Sequence, residues 1–110
     1  MSSQMISSKD DDMQFMLLGY DGKDDDALSR RLAVRDQHLA VGDQLVADGK
    51  LLFATAILDA DGTMIGSMLV LEFPSRAELD DWLETEPYVT GDVWREIDIH
   101  PVKVGPSFIR

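Results

Sequence analysis

The feature that most constrains this chain is a turn. Two apolar runs, "LLFATAIL" at 51–58 and "MIGSMLVLEF" at 64–73, flank "DADGT". Its Asp61-Gly62 pair accepts the left-handed backbone that tight hairpins need. In the second arm Ile65, Ser67, Leu69, Leu71 and Phe73 alternate onto one face. A pair of adjacent antiparallel strands is therefore predicted, and the other elements must be arranged around it.

Upstream, "MQFMLLGY" at 13–20 is a short apolar run ended by "DGKDDD", which reads as a buried strand and a turn. Asp24 is placed to cap a helix, with Asp25 and Asp26 favoured by the positive end of its dipole. That helix runs to "ADGK", where Gly49 supplies the left-handed stop. Downstream, Ser75 and Glu78 have the spacing of a capping box, and Leu79, Trp82 and Leu83 give the second helix its inward stripe. Pro87 pushes Glu86 out of helical geometry and ends that helix at "TEPY". "WREIDIHPVKV" is the last strand, and its apolar positions change parity between Ile97/Ile99 and Val102/Val104, which marks Pro101 as a bulge.

The order strand, helix, strand, strand, helix, strand predicts an α+β, ferredoxin-like βαββαβ fold, with two helices on one face of a four-stranded antiparallel sheet. The opposite face still carries Met, Leu, Val and Ile. Packing sheet on sheet in a homodimer would cover it.

A chain of 110 residues is one domain with a small core. Residues 1–12, Ser-rich and then acidic, read as a flexible tail, 13–104 as the folded domain and 105–110 as a C-terminal tail. With 21 acidic and 10 basic side chains the formal net charge is −11, a field that repels a phosphate backbone. Nucleic acid and anionic membrane are thereby poor partners. The absence of cysteine excludes disulfides, thiolate catalysis and Cys-ligated metal, and fits a cytoplasmic protein. The N-terminus has no apolar h-region, and no run approaches the roughly 20 residues of a spanning helix.

The first helix carries an oddity. "RLAVRDQHLA" returns Arg31, Arg35 and His38 to one side of the helix, the side that also carries Leu28, Leu32, Leu39 and Val46. An inward cation costs free energy unless it is paired or opens onto a cavity. Arg31 and Arg35 can snorkel, or line a cleft. His38 is either an imidazole bonded to a backbone carbonyl or a proton carrier, the role for which histidine is the usual side chain.

"RRLAVRDQHLA", "ADGKLL", "GSMLVLEF", "EPYV" and "IHPVKV" together resemble the YciI-like (YCII-related) family of small bacterial proteins over roughly residues 13–104. The resemblance implies a ferredoxin-like, dimeric α/β-barrel type of assembly with a histidine/aspartate-centred cleft. It assigns the histidine to His38 and the acid to Glu86, where the family's segment opens with Asp. Arg35, Ser67 and Tyr88 match positions that line the cleft. Thr55 and Ala56 depart from the family's Ala-Gly-Pro turn, and the hairpin is shorter than in many members.

A carboxylate on one imidazole nitrogen fixes the tautomer and supports the imidazolium formed when the other nitrogen takes a proton. A nearby arginine holds an anion or a developing enolate. The function expected is cofactor-independent acid–base chemistry of the lyase or isomerase type on a small anionic metabolite, by proton abstraction next to a carbonyl. The alternatives are a non-catalytic small-molecule-binding or protein-interaction module, and a cofactor-free oxygenase of the dimeric α/β-barrel type. Ser67 is a nucleophile only if His38 reaches its hydroxyl; otherwise it is a hydrogen-bonding strand residue. No metal site is expected from two distant histidines, and Asp24 to Asp26 lack an EF-hand's spacing and closing Glu. Trp82 and Trp94 read as core or subunit contacts, and Asp98 with His100 as an exposed polar edge.

Overall fold

The computed structural model describes residues 12–109. Its elements are β1 (Met13–Asp21), α1 (Ala27–Ala47), β2 (Leu51–Leu58), β3 (Met64–Phe73), α2 (Arg76–Leu83), α3 (Pro87–Thr90) and β4 (Trp94–Val102), followed by a 3-10 turn (Pro106–Phe108). The four strands form one antiparallel sheet in the order β2-β3-β1-β4. That is the ferredoxin-like arrangement, with a third, one-turn helix added. The tail expected at 1–12 lies outside the described residues except for Asp12.

Alternation divides the sheet into two faces. Phe15, Leu17, Leu69, Leu71 and Phe73 are buried beneath the helices, with Leu45, Leu79, Val93 and Trp94 completing the core. Met16 and Leu18 stand opposite Val70 and Met68 on the outer face. The hairpin closes with the Asp59 N–H on the Thr63 carbonyl at 2.9 Å and Gly62 at φ 84°. The Asp59 carboxylate accepts the Asp61 and Thr63 N–H groups, which fixes the turn from inside.

Both predicted helix ends at Gly49 and Ser75 are present. At Gly49 (φ 74°) the Lys50 N–H reaches the Leu45 carbonyl and the Gly49 N–H the Val46 carbonyl, the paired bonds of a Schellman stop. The Ser75 hydroxyl accepts the Glu78 N–H at 3.2 Å. Asp24, in contrast, does not cap α1. Asp26 holds the N-cap position without a side-chain bond, while both Asp24 oxygens are taken by Arg30 at 2.7 and 2.8 Å. A fork of two charge-assisted bonds outcompetes a single backbone N–H.

Two further expectations are corrected. Pro101 makes no bulge: it pairs in register with Phe15, and the extra residue is Arg95, between Glu96 opposite Tyr20 and Trp94 opposite Asp21. Because β4 is an edge strand, a proline there removes no ladder bond that the sheet needs. The apolar stripe of α1 expected to face inward also does not face the core. Leu28, Leu32, Leu39 and Val46 are 38%, 53%, 44% and 58% exposed. The inward stripe lies one residue back, at Arg31, Val34, His38, Val41 and Leu45. Arg31 and His38 each find a buried carboxylate, and those two pairings set the helix's rotation against the pull of its leucines.

Candidate functional site

Because α1 is rotated in this way, its Arg31, Arg35 and His38 look into a cleft of about 160 Å³ between the helix and strands β2 and β3. Arg31, Arg35, His38 and Leu39 form one wall, Ala54, Thr55 and Ala56 another, and Ser67 and Tyr88 also line it. The departures from the family pattern at Thr55 and Ala56 thus lie on the cleft's β2 side.

Glu86 is brought to His38 by the turn between α2 and α3. The proline after it holds Glu86 extended (ψ 126°) and starts α3 as its first residue. As the N-cap of α3, the Glu86 carboxylate accepts the Tyr88 N–H at 3.1 Å, and the same oxygen bonds His38 Nδ1. Glu86 is 1% exposed, so it sits behind the histidine rather than in the cleft. A carboxylate accepting at Nδ1 places the proton there and leaves Nε2 as the basic nitrogen.

The imidazole is also held by rings. Tyr88 stacks on it with centroids 3.8 Å apart at 9°, and Trp94 stands edge-on at 5.9 Å. The guanidinium carbon of Arg31 lies 4.8 Å from the centre of the same Tyr88 ring. Burial pushes the Tyr88 phenol up, against the opposing pull of Arg31 and Arg35, so it stays a protonated donor at neutral pH.

The two cleft arginines are in different states. Arg31 is 3% exposed; its Nη1 bonds both Asp21 oxygens at 2.9 and 3.0 Å, and its Nη2 donates to Ser67 Oγ at 2.8 Å. Burial pushes the Asp21 carboxyl up, and Arg31 only partly offsets it. Arg35 is half-buried and makes no hydrogen bond or ion pair among the described residues.

All five expected site residues therefore meet: Arg35, His38, Ser67 and Tyr88 line the cleft, and Glu86 backs the histidine. Two others, Asp21 and Trp94, adjoin them without having been expected there. Asp21 shares the parity of Phe15 and Leu17, so the alternation of β1 already placed a carboxylate inside. Trp94 was read only as a core or subunit contact. It is 4% exposed, and its Nε1–H bonds Ser67 Oγ at 3.2 Å. No local pattern marks it, because the contact depends on register across two strands. Among the described residues no three His, Asp or Glu side chains come together as metal ligands, and no helix is long and apolar enough to cross a membrane.

A ferredoxin-like sheet with a histidine–carboxylate pair under its first helix defines a class, and comparison places the chain within it. The model of the YCII-related domain matches residues 13–103, and this chain belongs to that family. An uncharacterized protein of Haemophilus influenzae is 37% identical over 82 residues, covering 69% of this chain and 84% of that protein. Protein YciI of Escherichia coli O6:H1 is 32% identical over 84 residues, 71% of this chain and 86% of YciI. Among solved structures, the 5-chloro-2-hydroxyhydroquinone dehydrochlorinase TftG of Burkholderia phenoliruptrix AC1100, in complex with 2,5-dihydroxybenzoquinone, superposes with a TM-score of 0.76. It is 25% identical, and the match covers 86% of this chain and 98% of TftG.

Proposed function

We propose that this chain is a cofactor-independent acid–base enzyme of the lyase or isomerase type, acting on a small anionic metabolite. The observation that carries the reading is the buried Glu86 carboxylate on His38 Nδ1, which leaves Nε2 as the base. In this reading Nε2 removes a proton next to a carbonyl, and the electron pair moves onto the carbonyl oxygen. Arg35 and Ser67 hold the resulting enolate. Its collapse expels a leaving group from the neighbouring carbon, or the imidazolium returns the proton at a new position. Loss of HCl is an elimination of this class, which is where the likeness to a dehydrochlorinase lends support. The cleft volume of about 160 Å³ suits a molecule of about one ring, since a cavity of roughly 150 Å³ accommodates benzene. We further propose that the protein works as a cytoplasmic homodimer, joined through the apolar outer face of the sheet.

The test is a turnover screen of chlorinated hydroxyquinols and β-substituted oxo acids, following chloride release and ultraviolet absorbance. His38→Ala should lower the rate about 10²- to 10⁴-fold, the usual contribution of a general base. Equal turnover by both proteins would overturn the assignment of His38. Binding without turnover in the wild type would instead make the cleft a non-catalytic binding site.

A further inference from the structure

A serine hydroxyl has two lone pairs and one proton. In Ser67 both acceptor directions are occupied, by Arg31 Nη2 at 2.8 Å and by Trp94 Nε1 at 3.2 Å. Guanidinium and indole nitrogens carry hydrogens only for donation, so neither can take the serine's proton in exchange. The Ser67 hydroxyl makes no other hydrogen bond among the described residues, so its proton has no protein acceptor there. The residue is 2% exposed, and what remains of its surroundings is the cleft it lines.

We propose that Ser67 is a fixed hydrogen-bond donor of the cleft, its proton aimed at an oxygen acceptor on the bound molecule. Arg31 and Trp94 are positioning residues, and Asp21 acts through Arg31. The inference rests on the reading of the cleft as a site for a small oxygen-rich anion, and it adds what that anion must present: a carbonyl or enolate oxygen toward β3. It also removes Ser67 as a nucleophile. Attack needs a free lone pair and a base that reaches the proton; here both lone pairs are engaged, and His38 makes no hydrogen bond to Ser67 among the described residues. Two donors onto one oxygen also polarise the O–H outward, which strengthens the bond it makes in turn.

The geometry gives a spectroscopic signature. When a ligand accepts the serine proton, Oγ becomes a better acceptor for the Trp94 indole, and the Hε1 resonance of Trp94 moves downfield. Trp94→Phe assigns that resonance against the one from Trp82. The probe is 2,5-dihydroxybenzoquinone, titrated by absorbance and by the indole resonances into wild type, Ser67→Ala, Ser67→Thr and Arg35→Ala. Loss of a hydrogen bond to a charged acceptor predicts about ten- to a hundredfold weaker binding for Ser67→Ala. Ser67→Thr, which keeps the hydroxyl, should recover most of the affinity and the downfield shift. Unchanged affinity in a folded Ser67→Ala, with Arg35→Ala still weakened, overturns the donor assignment and leaves the cleft reading standing. Failure of the wild type to bind the probe at millimolar concentration overturns both.

Discussion

Arg31 and Arg35 have the same side chain, one turn apart on one helix, and opposite situations. Arg31 is closed into a pair with Asp21 and a bond to Ser67, whereas Arg35 has no partner among the described residues. Arg31→Ala should therefore destabilise the protein by about 3–5 kcal/mol, because it strands a buried carboxylate. Arg35→Ala should leave stability within about 0.5 kcal/mol and weaken binding of a small anion. Thermal melts and anion titrations of both variants read the two effects, and equal effects on both would give the arginines one shared role. Asp21 adds a pH dependence. Burial raises its folded-state pKa above the unfolded value, so the folded chain holds that proton more tightly. Its contribution to stability is full below the ordinary carboxylate range and is lost as pH rises through the raised value. The stability of wild type relative to Asp21→Asn should accordingly be highest in acid and decline toward neutrality. Paired denaturant melts across that range check it, and a lead that grows with pH would mean that the pairing with Arg31 outweighs the cost of burying this carboxylate.

At the scale of elements, β1 acts as a seat for the site as well as a core strand. The Trp94 ring lies over Gly19 so closely that an added Cβ would come within 2.5 Å of it. Gly19→Ala must push the indole away, at a cost of about 1–3 kcal/mol, and with it the bond to Ser67. Tryptophan fluorescence and urea melts should show both changes; an unshifted spectrum would mean the ring has room that the packing denies. The strands, the hairpin and the ends at Gly49 and Ser75 were legible because each depends on neighbours in sequence. The one-turn helix α3 was not, since "EPYV" reads equally as a helix stop, whereas α2 has already ended at Leu83 and Pro87 starts the next helix. The rotation of α1 was misjudged for a related reason. Counting leucines finds the most apolar stripe, but buried partners for Arg31 and His38 lie on strands and turns remote in sequence. Family resemblance brought His38, Glu86, Arg35, Ser67 and Tyr88 forward together, and Asp21 and Trp94 join them only once the register of β1, β3 and β4 is known.

For the whole molecule the outer sheet face is an apolar surface that the helices leave uncovered. Met16, Leu18, Met68 and Val70 form its centre, and beside them a groove of about 510 Å³ is lined by Phe53, Val104 and Phe108 among others. Phe53 and Phe108 are both largely exposed. Light scattering should report about twice the 12.3 kDa chain mass at micromolar concentration. Val70→Lys, which puts a charge at the centre of the face, should return the monomer mass. Each chain carries a formal charge of −11, so two copies repel, and added salt should tighten their association by screening. A monomer at every salt concentration would mean that this face is not where copies meet.

Glu86 holds two posts with one oxygen, closing the first turn of α3 and bonding the histidine. A change there loosens the backbone that carries Tyr88 and unmoors the imidazole in the same stroke, so fold and chemistry cannot drift independently at this position. Arg35 is bound to neither, and the β2 side of the cleft at Thr55 and Ala56 is exposed. Substitutions at Arg35, Thr55 or Ala56 would then reshape the charge and outline of the cleft and leave the His38–Glu86 pair standing, so one side of the cleft is rigidly tied to the fold and the other is free to vary.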